Sequence, residues 1–103
     1  MVFALTGSSA HFFLGMGDDF NNYDVVIEYD LRADKVVMIN GHIPVCPVES
    51  SLILYGMMIQ WQARRRYKYE MALQYLRQNG VNYPEILKSQ DLPKFIREDI
   101  KTL

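Results

Sequence analysis

Hydrophobic and polar positions divide this chain into four stretches. Between residues 23 and 30, Tyr23, Val25, Ile27 and Tyr29 alternate with Asp24, Val26, Glu28 and Asp30, the period of two of a half-buried strand. Leu31-Arg32-Ala33-Asp34 is a polar connection. Lys35-Val36-Val37-Met38-Ile39 is apolar on both sides, which suits a central strand. Asn40-Gly41 predicts a type I′ hairpin, since both residues tolerate positive φ. His42-Ile43-Pro44-Val45 then returns as a short third strand, placed on an edge because Pro44 has no N–H to donate. Residues 23–46 thus predict a three-stranded antiparallel meander, too small to stand alone.

Residues 47–79 predict one long helix against which the meander packs. After Pro47 the stretch contains no proline and one glycine, Gly56, and it closes at Asn79-Gly80. Pro47 suits a first turn, Glu49 complements the positive end of the helix dipole, and Gly80 suits a C-terminal cap. Leu54, Met57, Met58 and Trp61 recur at helical spacing, and Tyr69, Ala72, Leu73 and Leu76 continue a stripe. Leu52, Ile53, Tyr55 and Ile59 add apolar surface outside the first stripe. Three strands cover one side of such a helix. The remainder calls for the N-terminal segment, the tail helix or another subunit.

The two ends are shorter patterns. Val2, Phe3 and Leu5 fit a short strand or an arm laid on another subunit, and Ser8 or Ser9 can cap a short helix through His11, Phe12, Phe13 and Leu14. Gly15-Met16-Gly17-Asp18-Asp19 ends that helix, and the aromatic-rich residues 1–22 either fold under the domain or dock on a neighbour as an assembly arm. Beyond Gly80, Val81–Pro84 is a linker and Pro84–Lys88 one helical turn. Asp91 is placed as the cap of a last short helix, with Leu92, Phe95, Ile96 and Ile100 on one side and Lys94, Arg97, Glu98 and Lys101 outside. The expected fold is α+β in a single domain spanning residues 1–103.

Composition narrows the class. Half the 103 residues are hydrophobic and 13% are aromatic, which opposes intrinsic disorder. The formal net charge of -1 gives no global signature of a nucleic-acid binder. A single cysteine, Cys46, makes no internal disulfide and fits a reducing compartment. The longest apolar run, Leu52 to Ile59, is far short of the roughly twenty residues a membrane span needs. The N-terminus lacks the basic start of a signal peptide. A soluble cytoplasmic product is expected.

No catalytic, cofactor or metal signature emerges. His11, His42 and Cys46 lack zinc-ligand spacing; His42 and Cys46 share a strand face but read better as a hairpin histidine and a buried thiol. Asp18, Asp19, Asp24, Asp30 and Asp34 do not form a calcium loop. Gly15-Met16-Gly17 is not a dinucleotide fingerprint, Gly7-Ser8-Ser9 is not a P-loop, and neither Cys46 nor any serine has a nucleophile motif. Glu28, Asp30 and Asp34 read as solvated turn residues.

One constellation stands out. Arg64, Arg65 and Arg66 are consecutive, so on a helix they point to three sides, and Lys68 extends them. Three readings compete: a phosphate-contacting band with Trp61, Tyr67 and Tyr69 beside it, intersubunit ion pairs, and a solvated helix middle with an Arg66–Glu70 pair. Trp61 falls in the stripe and is expected to anchor the core, with a binding hot spot as the alternative. Met57, Met58 and Met71 are expected to fill core gaps.

The order of parts also resembles a family. Ile43-Pro44 ends the β region, an acidic turn follows, and then come Leu52-Ile53-Leu54-Tyr55-Gly56, Trp61, the basic cluster, Tyr67, and Met71-Ala72-Leu73-Gln74-Tyr75-Leu76. Over residues 43–79 this is similar to the head-to-tail adaptor (connector or neck) proteins of tailed bacteriophages. The resemblance implies a non-enzymatic virion subunit whose copies form a ring beneath the portal, beside tail subunits, around a channel through which DNA passes. Leu52, Leu54, Tyr55, Met58 and Trp61 would then supply packing, Arg64–Arg66 intersubunit or DNA-facing charges, and Phe12 and Phe13 docking surface. A small nucleic-acid-binding or regulatory protein using the basic band is the alternative.

Overall fold

The computed structural model describes residues 3–16, 24–27, 37–39, 41, 43–88 and 91–103. The fold is α+β. It organises as two compact units, Met1–Val48 and Glu49–Leu103, where the sequence pattern suggests one domain.

The first unit is built on a four-stranded sheet: β1 (Phe3–Thr6), β2 (Asp24–Ile27), β3 (Val37–Ile39) and β4 (Ile43–Val45), in the order β2-β1-β4-β3. β1 runs antiparallel to β2, with Phe3 opposite Ile27 and Thr6 opposite Asp24, and parallel to β4 through Leu5 and Val45. The expected antiparallel meander is therefore corrected to a mixed sheet, because β1 inserts between its members. Ala4 and Leu5 point to opposite faces of β1 and are both buried, so this strand is covered on both faces. Of the two alternatives for the N-terminus, residues 3–6 take the short strand, which lies inside the sheet. The β3–β4 hairpin forms, but Ile39 pairs with Ile43, so three residues connect the strands and not the two of a type I′ turn. Gly41 has φ +75°, the left-handed position such a longer loop uses.

Directly after β1 the chain enters helix α1 (Gly7–Phe13). No spacer is needed because Gly7 takes φ +64°, which reverses the chain at one residue. The Ser9 hydroxyl donates back to the Thr6 carbonyl at 2.8 Å; it does not cap the helix as the sequence suggests. Leu5, Ala10 and Val45 form the core of this unit, with Phe13, Leu14, Ile39 and Ile43 packed around them.

The second unit is helical: α2 (Val48–Met58, opened by the last residue of the first unit), α3 (Arg66–Asn79) and α4 (Lys94–Ile100), with short 3-10 turns at Ala63–Arg65 and Pro84–Lys88. The single helix expected over 47–79 is two helices. Gly56 and Tyr69 show why. A straight helix would hold them about 20 Å apart along its axis. Here a β-carbon on Gly56 would stand 3.0 Å from Tyr69 Cε1 and 2.5 Å from Ile96 Cδ1. α3 folds back on α2, and the absent side chain of Gly56 lets α3 and α4 approach it.

The buried stripe of α3 is Tyr69, Ala72, Leu73 and Leu76, as the spacing predicts. Leu92 and Ile96 are buried on the tail segment, while Lys94, Arg97, Glu98 and Lys101 are exposed. Gly80 closes α3, its N–H donating to the Leu76 carbonyl at 2.8 Å. Asp91 does not cap α4; the capping position is Pro93, and no side chain bonds there. Glu49 does more than complement a dipole. Its Oε2 accepts the backbone N–H groups of Asn82 and Tyr83 at 2.7 and 2.9 Å, tying the first turn of α2 to the linker after α3. It is only 2% exposed.

Candidate interaction site at the corner between α2 and α3

α2 stops at Met58, whose carbonyl accepts from the N–H groups of both Trp61 (3.0 Å) and Gln62 (2.8 Å). The backbone is held again at Arg65, whose N–H bonds the Gln62 carbonyl at 2.9 Å, while its Nε bonds the Gln62 side-chain oxygen at 2.9 Å. The corner is therefore a hydrogen-bonded turn with a fixed course. It presents Trp61, which is 75% exposed, and Tyr67, which is 64% exposed. The expectation that Trp61 anchors the core is corrected. The stripe of Leu54, Met57, Met58 and Trp61 was extrapolated through a helix that bends before its last member.

The bend also relocates the arginines. They do not sit mid-helix: Arg64 and Arg65 lie in the 3-10 turn and Arg66 opens α3. Arg64 and Arg66 are exposed, and Arg65 is half-buried. Lys68 stands 5.6 Å from the centre of the Tyr67 ring, within cation–π range. The expected Arg66–Glu70 pair is present but long, at 3.9 Å between side chains more than half exposed, so it contributes little. No acidic residue lies in the first turn of α3, and no side chain caps it. Four cations thus crowd the positive end of a helix dipole, an arrangement that favours an anion from elsewhere.

The remaining expected contact residues divide. Leu52 and Tyr55 are buried within the chain, so they hold the fold and offer no docking surface. Leu54 and Met58 are half-buried, as are Met57 and Met71. In the first unit Phe12 is 48% exposed, and its ring meets that of Phe13 edge-on at 5.4 Å. Phe13 itself packs on the core. Trp61, Arg64, Arg66 and Tyr67 are all exposed along the turn and the start of α3, whereas Leu52 and Tyr55 are buried.

Sequence reasoning missed one hub. Tyr69 belongs to the stripe, yet its hydroxyl donates to Asp99 Oδ2 at 2.6 Å and its ring meets Phe95 edge-on at 5.7 Å. Burial, then the hydrogen bond to the Asp99 carboxylate, pushes the phenol well above its ordinary range. These contacts tie α3 to α4. His11 and Cys46 are buried. His42 and the carboxylates Glu28, Asp30 and Asp34 lie outside the described residues. Among the described residues no three His, Cys, Asp or Glu side chains come together as metal ligands, and no helix is long and apolar enough to cross a membrane. No protein-family model, curated protein or solved structure matches this chain.

Proposed function

We propose that this chain is a non-enzymatic structural subunit of an oligomeric assembly, of the head-to-tail adaptor or tail-ring kind in a phage virion. Its partners on this reading are copies of itself and neighbouring portal or tail proteins. The observation that carries the reading is the corner between α2 and α3. An ordered turn holds a tryptophan and a tyrosine in solvent beside exposed arginines, the residue types that dominate binding energy at protein interfaces. A tryptophan three-quarters exposed leaves most of its apolar surface unused by the fold.

The test is mass by light scattering over a concentration series, for the wild type and for Trp61→Ala. A ring or other oligomer that Trp61→Ala dissolves supports the reading. A wild type that remains monomeric at every concentration refutes it.

A second reading has its own observation. The uncapped, acid-free first turn of α3 with its cations and the adjoining aromatic faces also suits a single-stranded nucleic acid, with phosphates on Arg64–Arg66 and bases on Trp61 or Tyr67. Binding of a labelled oligonucleotide that falls with salt, and falls again on replacing the three arginines with alanine, would favour it. No binding at low salt eliminates it.

A further inference from the structure

Very little keeps residues 48–79 from being one straight helix. The Ile59 N–H still bonds the Tyr55 carbonyl at 3.1 Å and the Gln62 N–H the Met58 carbonyl at 2.8 Å, both at the four-residue spacing of an α-helix. The departure centres on Gln62, with φ -136° and ψ 88°, and Arg65 and Arg66 are back in the right-handed helical region. Nothing in Ile59-Gln60-Trp61-Gln62-Ala63-Arg64-Arg65-Arg66 forbids a helix, and alanine, arginine and glutamine are among the better helix formers.

Two registers survive the corner. Leu52, Tyr55, Ile59, Gln62, Arg66, Tyr69, Leu73 and Leu76 follow one another at alternating three- and four-residue steps, the seam of a pair of coiled helices. Leu52, Tyr55, Tyr69, Leu73 and Leu76 are buried. The buried faces of α2 and α3 are therefore in phase across a bend that does not require it. In addition, Gly56 and Tyr69, which meet across the bend, are equidistant in sequence from the 62–63 peptide bond. Two straight copies laid antiparallel about a two-fold axis at that bond would set Gly56 of each opposite Tyr69 of the other, and Leu52 opposite Leu73.

We infer that residues 48–79 have a second conformation, a single helix about 48 Å long, in which residues 66–103 leave their own α2 and pack on α2 of a second copy. The product is a closed two-fold dimer. α4 travels with α3, because the Tyr69 hydroxyl bonds Asp99 and its ring meets Phe95. Ile96 and Tyr69 of one copy then meet Gly56 of the other, and the backbone N–H groups of Asn82 and Tyr83 reach the other copy's Glu49. These are the contacts of the monomer remade between chains, which is what makes such an exchange inexpensive. The occupant of α2 is thereby fixed, since the segment shaped to its glycine is α3–α4 of the same sequence. Gln62 and Arg66 are the polar members of the seam and lie beside the axis, with Arg64, Arg65 and Lys68 of both copies nearby. Like charge opposes the straight dimer, so salt that screens it favours the dimer, opposite in sign to an interface built on ion pairs. The inference does not rest on the assembly reading: it uses the buried faces of α2 and α3, not the exposed aromatics of the corner.

The test takes the full-length chain through its urea midpoint at high concentration, returns it to native buffer at low and at high salt, and measures mass by sedimentation velocity. A dimer is expected, about tenfold tighter at high salt, that keeps its mass for hours because exchange requires the Gly56–Tyr69–Ile96 packing to open. Ala63→Pro separates the two conformations. Ala63 opens the 3-10 turn, where proline's fixed φ and missing N–H are accommodated; inside a straight helix proline removes a hydrogen bond and clashes with the preceding turn. The variant should keep the wild-type circular dichroism of the monomer and weaken the dimer about a hundredfold or more. Arg66→Leu, which fills the seam and removes a cation from each copy, should tighten it about tenfold. Trp61→Ala should not weaken it.

A wild type that stays monomeric after this treatment overturns the inference, as does a dimer that Ala63→Pro leaves intact or that Arg66→Leu fails to tighten. An oligomer that Trp61→Ala dissolves and Ala63→Pro spares overturns it while leaving the assembly reading standing. A dimer lost in Ala63→Pro and kept in Trp61→Ala supports the exchange and gives the assembly reading no support. If Ala63→Pro unfolds the monomer, Gln62→Gly replaces it: glycine accepts the bent backbone and weakens a straight helix, so the dimer should loosen about tenfold, and an unchanged dimer overturns the inference.

Discussion

One methyl group added at Gly56 probes the contact that folds α3 back on α2. A β-carbon there would lie 2.5 Å from Ile96 Cδ1, 3.0 Å from Ile96 Cγ1 and 3.0 Å from Tyr69 Cε1, all inside the roughly 3.5–4.0 Å of a comfortable carbon contact. The end of the Ile96 side chain can rotate away. The Tyr69 ring cannot move easily, since Phe95 packs on it and Asp99 holds its hydroxyl. Two effects therefore oppose. Replacing a helical glycine by alanine stabilises by about 1 kcal/mol through propensity, and overpacking a tight core costs about 1–3 kcal/mol. The clash involves one stiff partner as well as one yielding partner, so the cost should exceed the gain and Gly56→Ala should be a net loss of up to about 2 kcal/mol.

Urea unfolding followed by far-UV circular dichroism measures this, and Ile96→Val supplies the control. Valine removes the offending Cδ1. Alone it should cost about 1 kcal/mol as a cavity; combined with Gly56→Ala it should cost less than the two changes separately, with a coupling of about 1 kcal/mol. If Gly56→Ala is more stable than the wild type, or if the two changes simply add, α2 does not meet α3 and α4 at this point and the folded-back arrangement is wrong.

Other substitutions probe separate features. Glu49→Ala should destabilise by about 2–4 kcal/mol, because it strips the acceptor from two backbone N–H groups, and Glu49→Gln should lose less since its amide oxygen still accepts; equal losses in chemical denaturation would show that acceptance is not the role. Tyr69→Phe should cost about 1–2 kcal/mol for a hydrogen bond to a carboxylate. The folded phenol titrates above its unfolded value, so its contribution is complete below about pH 10 and is lost as pH rises beyond that. The alkaline fall in urea midpoint should be shallower in Tyr69→Phe; identical slopes would contradict the assignment. Trp61→Ala should change monomer stability by less than about 0.5 kcal/mol, against the roughly 3–5 kcal/mol of a core tryptophan, and a large loss of melting temperature would return Trp61 to the interior.

What the sequence disclosed depended on whether structure was local. The α3 stripe and the apolar side of the tail segment were legible because each is an amphipathic repeat decided within four or five residues. The hairpin around Gly41 was legible from Asn40-Gly41, although its register was not. Two features were not local. β1 pairs with residues about twenty and forty positions away, and a strand as short as Phe3-Ala4-Leu5-Thr6 contains no information about which strands it will separate. The break at residues 59–62 has no proline or glycine to mark it. It follows from the packing of Tyr69 and Ile96 against Gly56, which periodicity along one helix cannot express. The single glycine in an otherwise glycine-free helical stretch was the available signal. It marked a close approach, and the approach required the bend.

That bend connects fold to proposed function. Periodicity carried straight through residue 58 buries Trp61 and spreads the arginines around a helix middle, where they would be ordinary solvated charges. Bent, the same residues become an exposed aromatic at a corner and a group of cations at the positive end of α3. Neither serves stability. An exposed tryptophan contributes little to folding, and cations at that end of a dipole oppose it by about 0.3–1 kcal/mol each when close. A residue set that folding leaves unused, held on a turn by four hydrogen bonds to Met58 and Gln62, is better explained by a bound state than by the isolated chain. On the proposed assembly reading, a partner would cover Trp61 and place carboxylates against the arginines, so that the free chain's cost would become the assembly's gain.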